Sequence, residues 1–242
     1  DYGGRRKWKG RLREACVLRG ADAITAASAP IIDSLQALGL KAQRVPLGVD
    51  LRTWPPLAPR ERRARQARLI HVASLNRVKD QPTLLRALAA LAKTGLAFEM
   101  DIVGEDTLQG EMQQLARQLG LEHHVRFPGF KTQRELRPLM ESADLLVMSS
   151  LHETGPLALL EAAVAGVPAV GTAVGHFAEW SPSAALAVPV EDWDALANAI
   201  HQVLADEELR LRLAREAQRR AILEDADYTA HAFQALYRMA LS

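Results

Sequence analysis

Two glutamates, Glu153 and Glu161, stand eight positions apart in the stretch HETGPLALLEAAVAGVP. The second is set among Leu157, Leu159, Leu160, Ala162, Ala163 and Val164, which cover most of a helix circumference. An ionised carboxylate buried without partners is costly. Glu161 therefore either reaches a solvent-filled cleft or is paired where it lies. A surface stripe, or an ion pair to a lysine on a neighbouring helix, is the plain reading of a lone helical glutamate. The helix opens at Thr154, Gly155 and Pro156. Such an opening presents free N–H groups and a positive dipole end, and Gly155 lets a ligand approach the backbone closely. Amides suit phosphates, and carboxylates accept hydrogen bonds from vicinal hydroxyls. At about 1.5 Å per residue the first helical turns span roughly 8 Å, about the reach from a sugar hydroxyl to a ribose across a diphosphate. The chemistry expected of this stretch is the holding of a sugar nucleotide.

Those residues need a scaffold that gathers them at one edge. Short apolar runs at 69–74, 98–104, 125–129, 145–150 and 168–172 read as buried strands, with a weaker one at 185–190. Amphipathic runs at 82–92, 111–120, 134–143 and 156–166 read as helices between them. Pro82 and Pro156 suit first turns, Gly120 and Gly166 suit exits, and Pro138 either kinks its helix or falls near its start. Strands apolar on both faces, separated by helices, predict an α/β fold: a doubly wound parallel sheet covered on both sides. Ligands bind such sheets beyond the carboxyl ends of the strands. Lys79 follows the first of these strands and precedes a Pro-started helix; Glu153 follows the fourth. Three helices finish the chain, and Phe233, Leu236 and Tyr237 of the last read most simply as core, or as partly exposed if the chain is a fragment.

The front differs. A strand at AITAA, a helix and a strand at QRVPLGV give one βαβ unit with no sheet of its own to complete. The Pro- and Arg-rich WPPLAPRERRARQAR then reads as a linker. The expected organisation is a remnant of an N-terminal domain at 1–50, a linker at 51–68 and a nucleotide-sugar-binding domain with C-terminal helices at 69–242. The chain starts at Asp1 rather than Met, as a piece of a longer or processed protein would.

A net charge of +1 provides no field that would select nucleic acid. The basic runs at 5–11 and 60–68 lack the interleaved aromatics of a nucleic-acid module beyond Trp8. The second run reads as solvated linker; the first is of a kind that is drawn to an anionic membrane surface. The single cysteine, Cys16, excludes a disulfide within the chain and fits a reducing compartment. With no apolar run near the ~18 residues of a membrane span, and no secretory signal pattern, the expected site is the cytoplasm or the inner face of its membrane. His123 and His124 read as a solvated loop. His152 either lines the cleft beside Glu153 or caps its strand. No metal is expected, because these histidines lack a zinc-type spacing.

The stretch SSLHETGPLALLEAAVAGVPAVGTAVG resembles the E-x7-E region of the retaining glycosyltransferases of family 4, which have the GT-B fold. RVPLGVD, HVASLNRVKDQPTLLRAL, DIVGED, LGLEHHVRFPGF, ELRPLMESADLLVMSS and AVGHFAEW follow the family's order, so the likeness runs from about Ala21 to the end. The resemblance implies a donor-binding C-terminal domain, an acceptor-binding N-terminal one, and transfer with retention in the cleft between them, with no cofactor and no metal. It implies that Glu153 contacts the donor sugar, that Glu161 holds the ribose hydroxyls, and that amides around Gly155, Pro156 and Leu157 face the sugar and phosphates. Lys79 falls at a phosphate-binding lysine. Gly129, Phe130 and Lys131 fall in the loop lining the nucleobase. The sequence departs from the pattern in four places. Ser74 stands where an arginine is common, with Arg77 the nearest substitute charge. Pro156 removes one amide. Gly104 is followed two positions on by Asp106 rather than glycine, and His176 replaces the second glycine of the Gly-Gly-x-x-Glu turn.

The implied partners are a nucleotide-sugar donor and a glycan or lipid-linked acceptor. The chain alone is expected to be inactive, because most of the acceptor domain is missing. Two rivals remain: a nucleotide-sugar-binding subunit that needs a partner chain, and a nucleotide-sugar epimerase on the same fold.

Overall fold

The structure, a computed structural model, describes residue 18 and residues 20–62 and 64–241. The basic run at 5–11, Trp8 and Cys16 lie outside the described residues. At the front, β1 (Thr25–Ala26), α1 (Ala29–Gln36) and β2 (Gln43–Arg44) form one βαβ unit with a two-stranded parallel sheet. The rest alternates: β3 (Ala67–Val72), α2 (Gln81–Lys93), β4 (Phe98–Val103), α3 (Glu111–Gln118), β5 (Val125–Gly129), α4 (Gln133–Ser142), β6 (Leu145–Met148), α5 (Leu157–Val164), β7 (Ala169–Thr172), α6 (Gly175–Trp180) and β8 (Leu186–Val188). Helices α7 (Trp193–Ala205), α8 (Glu207–Leu223) and α9 (Ala226–Ala240) follow.

The six strands β3 to β8 form one parallel sheet in the order β5-β4-β3-β6-β7-β8. Side chains alternate across it. Leu69, Leu145 and Val147 pack with Leu84, Leu88, Ile200 and Val203 from α2 and α7. Ile70, Leu146 and Met148 pack with Met140, Leu159, Ala163 and Ala221 from α4, α5 and α8. The expected doubly wound α/β sheet is therefore present, covered on both faces. Strands β3 to β5 build outward one way and β6 to β8 the other. The order reverses between β3 and β6, which opens a crevice beyond their carboxyl ends.

The stretch expected as a linker lies against this domain. Trp54 is buried; Leu57 N–H donates to Val164 O at 3.1 Å; Arg60 pairs with Asp144 at 3.3 Å. The front unit is held by the Ala29 N–H, which donates to Glu179 at 3.0 Å, and by Arg44, which pairs with Glu179 and Glu224 at 2.6 Å each.

Two expectations are corrected. Helix α9 contains no buried residue: Phe233 and Leu236 are half-buried and Tyr237 is 67% exposed. Helical periodicity marks an apolar face, but burial needs a layer to receive it, and α9 touches the body through its first turn, where Ala226 N–H reaches Val49 O and Thr229 Oγ1 reaches Pro46 O. His124 is not a solvated loop residue; its ring stacks on Phe98 at 4.6 Å and its Nδ1 lies 3.2 Å from Phe98 O. Of the two places left open for Pro138, the structure takes the interior of α4.

Candidate donor site at the sheet switch point

Lys79 reaches the crevice on the loop between β3 and α2. That loop folds on its own polar groups: Asn76 Oδ1 accepts from Val78 N–H at 3.0 Å and Lys79 N–H at 3.1 Å. Asp80 takes a left-handed conformation, φ 46°, and α2 begins. The loop is also fastened to the segment after β6, where Leu151 N–H donates to Val78 O at 2.8 Å and Ser149 Oγ to Lys79 O at 2.9 Å.

Glu153 arrives on that same segment. Ser150 Oγ donates to Glu153 Oε1 at 2.8 Å, and Lys79 Nζ pairs with the same oxygen. The Glu153 side chain is 10% exposed and that of Lys79 24%. Ser150 is itself fixed, its carbonyl accepting from Thr172 Oγ1 at 2.5 Å. The two residues assigned to phosphate and sugar thus meet as an ion pair across the crevice.

Glu161 lies in the second turn of α5, which packs between the sheet and α8. It is 8% exposed. Among the described residues no hydrogen-bond or ion-pair partner reaches its carboxylate, and burial alone pushes its pKa above the ordinary carboxylate value. Of the two possibilities left open by sequence, pairing in place is not what the fold provides.

The turn into α5 is tightly fitted. Gly155 is buried, and a Cβ there would lie 3.0 Å from the His176 ring and 3.2 Å from Ala27 Cβ. His176, the replacement for a family glycine, fills that notch and sets its Nε2 3.0 Å from Ala27 O. Pro156 is buried; Leu157, the first residue of α5, is 51% exposed. Gly104 serves packing: a Cβ would fall 2.0 Å from Ala73 O, so only glycine lets the ends of β3 and β4 approach. His152 and Ser74 are exposed. Arg77 is not drawn to Lys79; it is exposed and pairs with Glu111 at 2.9 Å. Gly129 (φ 74°) ends β5, and the 71%-exposed Phe130 and half-buried Lys131 follow it at the same edge of the sheet. Among the described residues no cluster of His, Cys, Asp or Glu is arranged to hold a metal ion, and no helix is long and apolar enough to cross a membrane.

Residues 58–220 match the family of glycosyl transferases group 1, more than half of the chain. The chain belongs to the group 1 glycosyltransferases. It is 31% identical over 221 residues to a glycogen synthase of Mycobacterium tuberculosis, covering 89% of this chain and 53% of that protein. It is 33% identical over 187 residues to the GDP-mannose-dependent alpha-(1-6)-phosphatidylinositol dimannoside mannosyltransferase of the same species, covering 73% and 47%. The chain therefore spans about half the length of these relatives. Its fold matches that of sucrose-phosphate synthase from Thermosynechococcus elongatus, with a TM-score of 0.81 and 23% identity, over 100% of this chain and 64% of the other.

Four positions in this group 1 glycosyltransferase were not singled out by sequence reasoning. Ser149 and Ser150 brace the Lys79 and Glu153 segments. His71 and Gln81, both 0% exposed, lie under the Lys79 loop. Only His71 carried the signal that marked Glu161, a polar side chain within an apolar run; Ser149 and Ser150 follow β6 and Gln81 opens an amphipathic helix, so nothing local marked them.

Proposed function

We propose that this chain is the donor-binding portion of a retaining family 4 glycosyltransferase, which takes a nucleotide-diphosphate sugar and passes the sugar to a glycan or lipid-linked acceptor. The observation that carries the reading is Glu161, a residue only 8% exposed whose carboxylate has no hydrogen-bond or ion-pair partner among the described residues. Such a group costs free energy in the free protein, and vicinal ribose hydroxyls are donors of the right chemistry to offset that cost. Lys79 and the amides around Gly155 and Leu157 take the diphosphate, and Glu153 orients the donor sugar. The loop at Gly129, Phe130 and Lys131 faces the base; Ser74, Arg77, Gly104, Pro156 and His152 shape the rim. In the transfer, the bond from C1 to the diphosphate oxygen breaks and its electron pair leaves on that oxygen. The acceptor oxygen bonds C1 and releases its proton. Positive groups stabilise the leaving diphosphate without a metal or cofactor.

In this reading residues 1–50 end an acceptor domain, 51–68 connect, and 69–242 bind the donor. The setting is the cytoplasm, at the membrane face if the acceptor is lipid-linked.

The test is a thermal-shift panel of UDP-, GDP-, ADP- and dTDP-sugars on the wild type, Glu161→Ala and Lys79→Ala. At least one donor is expected to raise the wild-type melting temperature, with the shift lost in both variants. No shift with any donor, or a shift indifferent to both substitutions, contradicts the reading.

A further inference from the structure

His71 is a polar residue in the apolar strand β3, fully buried. Its Nδ1 lies 2.9 Å from Val147 O and its Nε2 lies 3.3 Å from Gln81 Nε2. A carbonyl can only accept, so the ring proton sits on Nδ1. Burial pushes the imidazole down to about 4, which leaves it neutral at ordinary pH with Nε2 as an acceptor. Gln81 then donates one amide hydrogen to His71 and the other to Ser74 O at 3.1 Å. The reverse amide orientation would set Oε1 against two acceptors, so the direction of the chain is fixed. Its cost is visible: Gln81 Oε1 is buried without a partner.

These bonds join the two ends of the Lys79 loop. Ser74 opens it, and Gln81 closes it as the first residue of α2. The far end of the chain, Val147, lies in β6 two residues before Ser149, whose hydroxyl holds Lys79 O. We infer that His71, acting through Gln81, is a positioning residue for Lys79: it locks the loop between Ser74 and Gln81 to strand β6 and so sets where the ammonium meets a diphosphate. An apolar side chain would fill the same volume but would bond neither Gln81 nor Val147.

The inference rests on the donor-site reading, and one experiment separates the two. UDP, GDP, ADP and dTDP, with their nucleosides, are titrated calorimetrically into wild type, His71→Asn, His71→Gln and Gln81→Met. An asparagine amide can still donate to Val147 O but ends short of Gln81; a glutamine reaches about as far as Nε2. His71→Asn and Gln81→Met are expected to weaken the preferred nucleoside diphosphate by about tenfold while its nucleoside changes by less than about twofold. His71→Gln is expected to recover most of that loss, and adding His71→Asn to Gln81→Met to cost little more. Hydrogen exchange at the Val78 and Lys79 amides, which needs no ligand, is expected to quicken in His71→Asn but not in His71→Gln. Wild type that binds none of the four diphosphates sinks the donor reading and the inference with it. Wild type that binds, with variants whose diphosphate affinity and amide exchange are unaltered, sinks the inference alone.

Discussion

Lys79 and Glu153, 74 residues apart in the chain, form an ion pair across the crevice where β3 and β6 lie side by side. A diphosphate arriving at Lys79 must compete with the Glu153 carboxylate already there. Removing that competitor favours the diphosphate: Glu153→Gln is expected to bind a bare nucleoside diphosphate about two- to fivefold more tightly than wild type, since a partly exposed pair of this kind contributes up to about 1 kcal/mol. Titration calorimetry reads it. Weaker binding by the variant would mean that Glu153 supports the phosphate site rather than opposing it.

Glu161 carries a cost in the free protein. Its pKa is raised by burial, so the folded state holds its proton more tightly than the unfolded chain. Stability from this group is therefore fullest below the ordinary 4.5 and falls as pH rises through the raised value. Glu161→Gln is expected to melt higher than wild type at neutral pH, with the gap closing toward acid. Equal melting temperatures across the range would show that the carboxylate is satisfied in the free protein.

His71 acts with the opposite sign. Its folded value lies at about 4 against an ordinary 6.5, so the unfolded chain binds the proton first and stability falls as pH drops through that window. The full loss is on the order of 3 kcal/mol. Urea unfolding of His71→Gln from neutral pH to acid is expected to show a shallower fall than wild type; parallel profiles would contradict the buried neutral imidazole.

Gly104→Ala places a methyl 2.0 Å from Ala73 O, at φ 157°. The ends of β3 and β4 must separate, and a loss of about 1–3 kcal/mol is expected in chemical denaturation. The bonds from Leu75 N–H to Glu105 O and from Thr107 Oγ1 to Leu75 O are expected to loosen with it. An alanine variant as stable as wild type would show that this approach is slack.

The sequence revealed the layers of this fold more clearly than its pairings. A strand buried on both faces must be apolar throughout, and a glycine such as Gly120 ends a helix, so LLVM stood out as a strand and its neighbours as helices. Strand order has no such local mark. That β3 lies beside β6 is what brings Lys79 to Glu153, and nothing within either segment encodes it. Arg77 was the nearest spare charge along the chain, yet Glu111 on α3 takes it. The oddity of a carboxylate in an apolar helix was legible, and the structure keeps it odd; the same signal at His71 in LIHVAS passed as part of a strand because its partner, Gln81, belongs to the next helix.

The ribose assignment of Glu161 is tested most directly by titrating the tightest of UDP, GDP and ADP, and its 2′,3′-dideoxy counterpart, into wild type and Glu161→Gln. The wild type is expected to favour the ribose form by about a hundredfold, the worth of two hydrogen bonds to a charged acceptor, and the variant to lose most of that preference. A wild type that binds both forms alike, or a variant that discriminates as well as the wild type, would contradict the account.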